Sequence, residues 1–254
     1  MNQAVRESAQ KLMLTYIRDN AEDKAKEAKQ LGLDHLSFLA ELLSCEAERR
    51  AQNGVVRRIK DARFPIKKYL ADFNRGKYAA EFTQKFDELE TLRFIENREN
   101  VILIGTPGAG KTHYATALGI EACMKGKNVL FATVPNLLVE LKEVMSRHQL
   151  SAYTRRFERF HLVILDELGY VSFDKSGCEL LFNLLSNRHG KGSIIVTTNR
   201  NFDSWDSIMQ DPVLTGALID RLAHKAHILD ITREQGGRFE ETIAWMKNAS
   251  SESD

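Results

Sequence analysis

Cysteine is scarce in this 254-residue chain, hydrophobic runs are short, and net charge nearly vanishes at +1. The three cysteines, Cys45, Cys123 and Cys178, are odd in number and far apart. Such spacing argues against a disulfide framework or a zinc site and for small buried thiols in a reducing cytoplasm. No apolar run approaches the ~20 residues that a membrane-crossing helix requires. The N-terminus mixes both charges and lacks the apolar centre of a signal peptide. What is present suits a globular protein: 43% apolar residues for a core and 28% charged residues for a surface. The length accommodates one full α/β domain plus something smaller.

The near-zero charge conceals a segregation. Between Arg49 and Lys77 lie ten Lys or Arg against only Asp61 and Asp72, a local charge of +8 that leaves −7 for the rest. Residues 1 to about 63 read as helical, with no glycine between Met1 and Gln30. Asp34 is placed to cap a helix carrying Leu36, Leu39, Leu42 and Leu43 on a core or helix-partner face. Pro65 is expected to stop that helix. Residues 66–98, including Phe73-Asn74-Arg75-Gly76, read as a linker and a further helix. The polar tail 250–254 is expected to be disordered.

From Asn100 onward, strand-like and helix-like segments alternate. Val101–Ile104, Val129–Ala132, Leu162–Leu165 and Ile194–Val196 are continuously apolar, as parallel strands covered on both faces are. Helices are expected near Thr112–Lys125, Pro135–His148 and Ser176–His189, and a fifth strand near His227–Ile231. The fold class is therefore α/β, a doubly wound parallel sheet that binds ligands at the carboxyl ends of its strands.

The first apolar run leads directly into Gly105-Thr106-Pro107-Gly108-Ala109-Gly110-Lys111-Thr112-His113. This fits the phosphate-cradling loop G-x-x-x-x-G-K-[ST] in its strand–loop–helix setting. Glycines allow successive N–H groups to turn inward around an anion, and the following helix adds its positive dipole end. Lys111 would reach the β- and γ-phosphates of a nucleoside triphosphate, and Thr112 would hold Mg²⁺. About fifty residues on, the third apolar run ends in Asp166-Glu167. Asp166 would stand beside the Thr112-bound Mg²⁺, and Glu167 would polarise an attacking water as general base. Asn199 follows the fourth run and could orient the same water. Arg221, on the amphipathic stretch Ala217–Leu222, lies too far along the topology for its own γ-phosphate and suits a neighbour's. Arg238 is a weaker candidate for contacting nucleotide.

Lys and Arg clusters bind polyanions through counterion release. Arg57, Arg58, Lys60, Arg63, Lys67 and Lys68 form the centre of the basic segment, with no helix-turn-helix or zinc finger to read bases. The alternative is a solvated basic face or a dock for an acidic neighbour. A second basic patch runs from Arg147-His148 through Arg155, Arg156 and Arg159.

Loop, acid pair, polar strand tip and late Asp-Arg, in that order, resemble the AAA+ ATPases. The wording is closer still: Gly105–His113, Leu165-Asp166-Glu167-Leu168-Gly169-Tyr170, Val196–Asn199 with Phe202 and Trp205, Asp211–Leu214 and Leu218–Leu222 resemble the IstB family, a sister of the DnaC/DnaI helicase loaders. The likeness extends through Leu36-Ser37-Phe38 and Arg63-Phe64-Pro65 to nearly the whole chain. It implies an ATP- and Mg²⁺-dependent homo-oligomer on duplex DNA that marks a target and recruits and stimulates a transposase. Lys111 and Thr112 then match Walker A, Asp166 and Glu167 Walker B, Asn199 sensor 1, Arg221 the arginine finger and Arg238 sensor 2. Gly236-Gly237 depart from the family's usual Ser-Tyr, and the short remaining chain leaves a lid of one helix, Arg238–Lys247. The implied organisation is a basic helical domain at 1–75, an ATPase domain at 76–249 and the tail, in a bacterial, nucleoid-associated protein. A replicative helicase loader and a DNA-coating protein with ATP as assembly glue are the rival readings.

Overall fold

The computed structural model describes residues 3–170, 173–209 and 211–231. The chain divides into two compact units, Met1–Arg57 and Arg58–Asp254. The first contains α1 (Gln3–Lys11), α2 (Thr15–Leu31) and most of α3 (His35–Asp61). Its small core joins Ala9, Ile17 and Leu42. Asp34 caps α3 as expected, its Oδ1 accepting from the N–H groups of Leu36 at 2.9 Å and Ser37 at 3.1 Å. Glu46, on α3, is buried and performs the same service for α2, accepting from Tyr16 N at 2.8 Å and Ile17 N at 3.1 Å. Of the four leucines expected on a packed face, Leu42 is buried while Leu36, Leu39 and Leu43 are exposed. The helix also ends at Asp61, before Pro65, and Arg63 takes a left-handed φ of 64°.

The second unit opens with two short 3-10 turns, Leu70–Asp72 and Arg75–Lys77, then α4 (Ala80–Glu90) and α5 (Arg93–Glu96). The alternating α/β region follows: β1 (Asn100–Ile104), α6 (Lys111–Met124), β2 (Val129–Thr133), α7 (Val134–Ser146) and α8 (Leu150–Phe157). Then come β3 (Leu162–Leu168), α9 (Lys175–Arg188), β4 (Ser193–Thr198), α10 (Asp206–Met209), α11 (Pro212–Ala223) and β5 (Ala226–Asp230). All pairings are parallel, in the order β2-β3-β4-β1-β5. The five expected strands are present, each within a few residues of its apolar run.

Continuous apolarity has a simple cause here. Strand side chains alternate between faces, and both faces are covered. Ile102, Val163, Leu165, Ile194 and Val196 join α7, α9 and α11 in one core. Val101, Leu103, Leu162, Ile164 and Ile195 join α4 and α6 in the other. Side chains cap the starts of α9 and α11. Asp174 accepts from Gly177 N before α9, and Asp211 accepts from Val213 N and Leu214 N before α11, with Pro212 in the first turn. Arg188, the last residue of α9, is fully buried and donates to the carbonyls of Phe157, Phe160 and Ser193 at 2.8–3.1 Å. Burial drives its pKa down to about 10.

Candidate nucleotide site

The loop 105–110 leaves the carboxyl end of β1 and turns directly into α6. Gly108 and Gly110 have φ values of 86° and 90°, where L side chains are strained. At Gly110 space also excludes a side chain, because a Cβ would collide with the Tyr78 hydroxyl. That hydroxyl donates to the Ala109 carbonyl at 2.6 Å. Phe73 stacks on Tyr78 with ring centroids 5.2 Å apart and touches His113 and Tyr114. The segment read from sequence as a linker therefore braces the loop from outside. Neither Phe73 nor Tyr78 was legible as a loop contact, since no spacing rule links them to residues thirty positions away.

Lys111 is 5% exposed, and its Nζ donates to the carbonyls of Gly105 at 2.7 Å and Thr106 at 2.9 Å. It spans its own loop where the phosphates of a ligand would lie. Burial holds its pKa below the ordinary lysine value, with the charge of Asp166 opposing the shift.

The acid pair lies where expected. Asp166 is 3% exposed at the carboxyl end of β3. Its Oδ1 accepts from Thr112 Oγ1 at 2.9 Å and from Thr197 Oγ1 at 2.5 Å. Thr197 in turn accepts from the Glu167 backbone N–H at 3.1 Å. One hydroxyl on β4 thus ties both acids to the strand beside them. Glu167 has a φ of 63°, and the β3–β4 register shifts between Leu165 and Leu168. A bulge here redirects the glutamate out of the alternation that a regular strand would impose. A non-glycine residue in that conformation stores roughly 1–3 kcal/mol of strain. Gly169 follows at φ 102°, closely packed against Ile208 and Arg200. Thr197 was not singled out from sequence, because its role exists only once β4 lies beside the bulged end of β3.

Asn199 follows Thr198, whose carbonyl accepts from Gly105 N at 3.1 Å. It therefore sits at the mouth of the loop, and its Oδ1 is buried with no hydrogen-bond partner among the described residues. An orphaned acceptor costs about 1–3 kcal/mol unless something donates to it. His113 Nε2 is likewise buried and unpartnered. The carboxylate and hydroxyl oxygens of Asp166 and Thr112 suit a hard cation such as Mg²⁺, which prefers one or two protein oxygens plus phosphates and water. The residues present fit that ion and a nucleoside triphosphate.

Arg221 lies elsewhere. The Asn100 side-chain amide donates to the Leu222 carbonyl at 3.0 Å and the Arg221 carbonyl at 3.5 Å. Asn100 begins β1, whereas the phosphate loop follows its end. At ~3.3 Å per residue, the strand separates the two by roughly 15 Å. The Arg221 guanidinium donates to Ser186 Oγ and lies 4.4 Å from the Phe182 ring centroid. Arg238 is outside the described residues.

Several candidate DNA contacts are engaged within the second unit. Arg58 Nε donates to the Cys123 carbonyl at 2.9 Å, Arg63 pairs with Glu140 at 3.4 Å, and Arg75 pairs with Asp87 and Glu90. Arg57, Lys60 and Lys67 are exposed and Lys68 is half-buried. Arg155 and Arg156 are exposed in the last turn of α8. Cys123 and Cys178 are buried, and burial pushes the Cys123 thiol up to about 11, so neither is a reactive thiolate. No helix among the described residues is long and apolar enough to cross a membrane.

A family profile described as IstB-like ATP binding protein matches residues 7–239. A protein of insertion sequence IS232 from Bacillus thuringiensis subsp. berliner, designated ATP-binding, is 35% identical over 199 residues, 78% of this chain and 80% of that one. A similarly designated protein of insertion sequence IS21 from Pseudomonas aeruginosa is 35% identical over 224 residues, 88% and 84% of the two chains. Among solved structures, DnaI superposes with a TM-score of 0.56 at 18% identity, covering 65% of this chain and 92% of that one. AMPPCP-bound DnaA from Aquifex aeolicus gives 0.58 at 18% identity, covering 73% and 56%. These likenesses establish the AAA+ P-loop fold. The loop, the acid pair and the matched span agree, and the chain belongs to the IstB-like ATP-binding proteins of insertion sequences.

Proposed function

We propose that this protein is a Mg²⁺-dependent ATPase whose active site is completed by a second copy and whose assembly on duplex DNA recruits and stimulates a transposase. The observation that carries the reading is the division of the machinery between opposite ends of one strand. The phosphate loop, Asp166, Glu167 and Asn199 gather at the carboxyl end of the sheet, while Arg221 lies beside the start of β1. An arginine so placed serves a neighbour's nucleotide.

In this scheme the loop's N–H groups and Lys111 hold the β- and γ-phosphates, with Lys111 releasing its two carbonyls. Thr112 and Asp166 would hold Mg²⁺, which when bound neutralises phosphate charge. Glu167, freed from the strand's alternation by the bulge, accepts a proton from the attacking water. Asn199 positions that water through its unpartnered Oδ1. Arg221 of the adjoining copy offsets the charge that develops on the γ-phosphate. The insertion-sequence relatives favour a transposase as partner over a replicative helicase. The basic segment, with Arg57, Lys60 and Lys67 exposed, supplies the sequence-independent attraction to DNA.

Glu167→Gln tests the chemistry. The variant should bind ATP, release phosphate at least about 100-fold more slowly, and hold its DNA-bound assembly longer. Undiminished phosphate release would remove Glu167 from its role.

A further inference from the structure

At the end of the sheet opposite the phosphate loop lies a cavity of about 280 Å³. It is bounded by the starts of β1 and β4, the C-terminal ends of α9 and α11, and the turn into β5. Arg98, Arg221, Lys225, His189 and His224 line it, and no aspartate or glutamate among the described residues does. Arg98 and Lys225 both occupy left-handed backbone, with φ values of 58° and 50°, at the turns that enter β1 and β5. Arg98 is fixed by donation from Nη1 to the Gly190 carbonyl at 2.9 Å, and the two histidine rings lie 5.6 Å apart. Neither Arg98, Arg221 nor Lys225 has a carboxylate within salt-bridge distance among the described residues. The nearby Glu99 is engaged by His227 at 2.9 Å.

Three permanent cations around one concavity, with no acid among the described residues lining it, repel one another unless an anion enters. The chain's own nucleotide cannot be that anion, because β1 stands between. The volume exceeds what one guanidinium needs and admits a phosphate chain. We propose that this cavity receives the triphosphate edge of a second copy, and that Lys225 and Arg98 act beside Arg221 as further charges of the shared site. The proposal rests on the in-trans reading of Arg221 and extends it from one side chain to a built receptor. Arg221 is partly committed to Phe182 and Ser186, so Lys225, at the exposed rim, makes the first electrostatic contact as two copies approach.

The test uses the full chain with and without duplex DNA. Lys225→Asn, and the double variant with Arg98→Asn, remove charge while keeping a residue that tolerates positive φ. Dilute protein should bind a fluorescent ATP analogue with wild-type affinity, since the phosphate loop is untouched. Turnover at a given protein concentration should fall about tenfold or more, one order of magnitude in rate. Mixing either variant with Glu167→Gln should restore activity above the sum of the two. In that mixture an intact phosphate loop of one copy meets an intact cavity of the other. Wild-type turnover in the double variant would overturn the proposal. So would a lost turnover that mixing does not restore while an Arg221→Ala and Glu167→Gln mixture is active. If that last mixture is also inactive, the in-trans reading of Arg221 falls, and the cavity's role with it.

Discussion

Thr197→Val isolates the hydroxyl that joins the two acids. The side chains are nearly the same shape, so the substitution removes two hydrogen bonds and little else. One is the 2.5 Å bond donated to Asp166, and the other is the 3.1 Å bond accepted from the Glu167 N–H. Hydrogen bonds to charged groups contribute roughly 1.5–3 kcal/mol, and a stranded N–H costs about 1–3 kcal/mol more. Thr197 is 1% exposed, so water does not readily replace either bond. Asp166 keeps Thr112 as a donor, which moderates the loss. The expected destabilisation of the second unit is therefore about 3 kcal/mol, a fall in melting temperature of roughly 6–12 °C for a unit of this size. The catalytic effect should exceed the binding effect. Glu167 would lose the contact that holds its strained backbone, and phosphate release should slow on the order of 10–100-fold. ATP affinity should change less, because the loop and Lys111 are untouched. Thr197→Ser, which keeps the hydroxyl, should recover most of both losses. Differential scanning calorimetry and a phosphate-release assay on the three proteins provide the readouts. Wild-type stability and turnover in the valine variant would refute the coupling of the acids through this residue.

Gly110→Ala should weaken ATP binding by at least about tenfold, since its Cβ meets the Tyr78 hydroxyl and its backbone is left-handed; equilibrium nucleotide titration checks this, and Tyr78→Phe in the same background should relieve part of the loss. Lys111 supplies a pH test with two opposite signs. Its pKa is depressed in the folded protein, so the unfolded chain binds more protons just below the ordinary lysine value of ~10.4. Its contribution to stability should therefore rise with pH in that window, whereas ATP affinity should fall as the ammonium is lost. Denaturation and nucleotide titration across the same buffers should diverge, and Lys111→Met should abolish the divergence. Arg188→Met should destabilise the second unit by about 3 kcal/mol, because three carbonyls lose their shared donor. Arg188→Lys should recover only part of that in urea unfolding, since an ammonium cannot reproduce the planar fork.

Much of the second unit was legible because its signals are local. Each buried strand appears as an uninterrupted apolar run; in the first unit, Asp34 likewise reveals a helix start through its own spacing. The phosphate loop is contiguous, so its glycines, Lys111 and Thr112 could be read together. The N-terminal helix face was less legible. Leu36, Leu39, Leu42 and Leu43 share a helical spacing, yet periodicity does not say which members meet a partner, and only Leu42 is buried. In the basic segment, net charge along a chain does not reveal that Arg58 will meet a helix-end carbonyl or Arg75 two acids.

By itself the sequence determined the strand run, the loop that takes a triphosphate, and the acids that follow it, because each depends on neighbours within a few residues. Tertiary structure decided the rest. Strand order placed Thr197 beside Asp166 and Glu167, and the packing of the 70–78 segment closed Tyr78 over Gly110. The length of β1 set Arg221 about 15 Å from its own phosphate loop, among cations that no described acid answers. Such relations join residues tens of positions apart, and only the parallel ordering of the sheet brings them together or holds them apart.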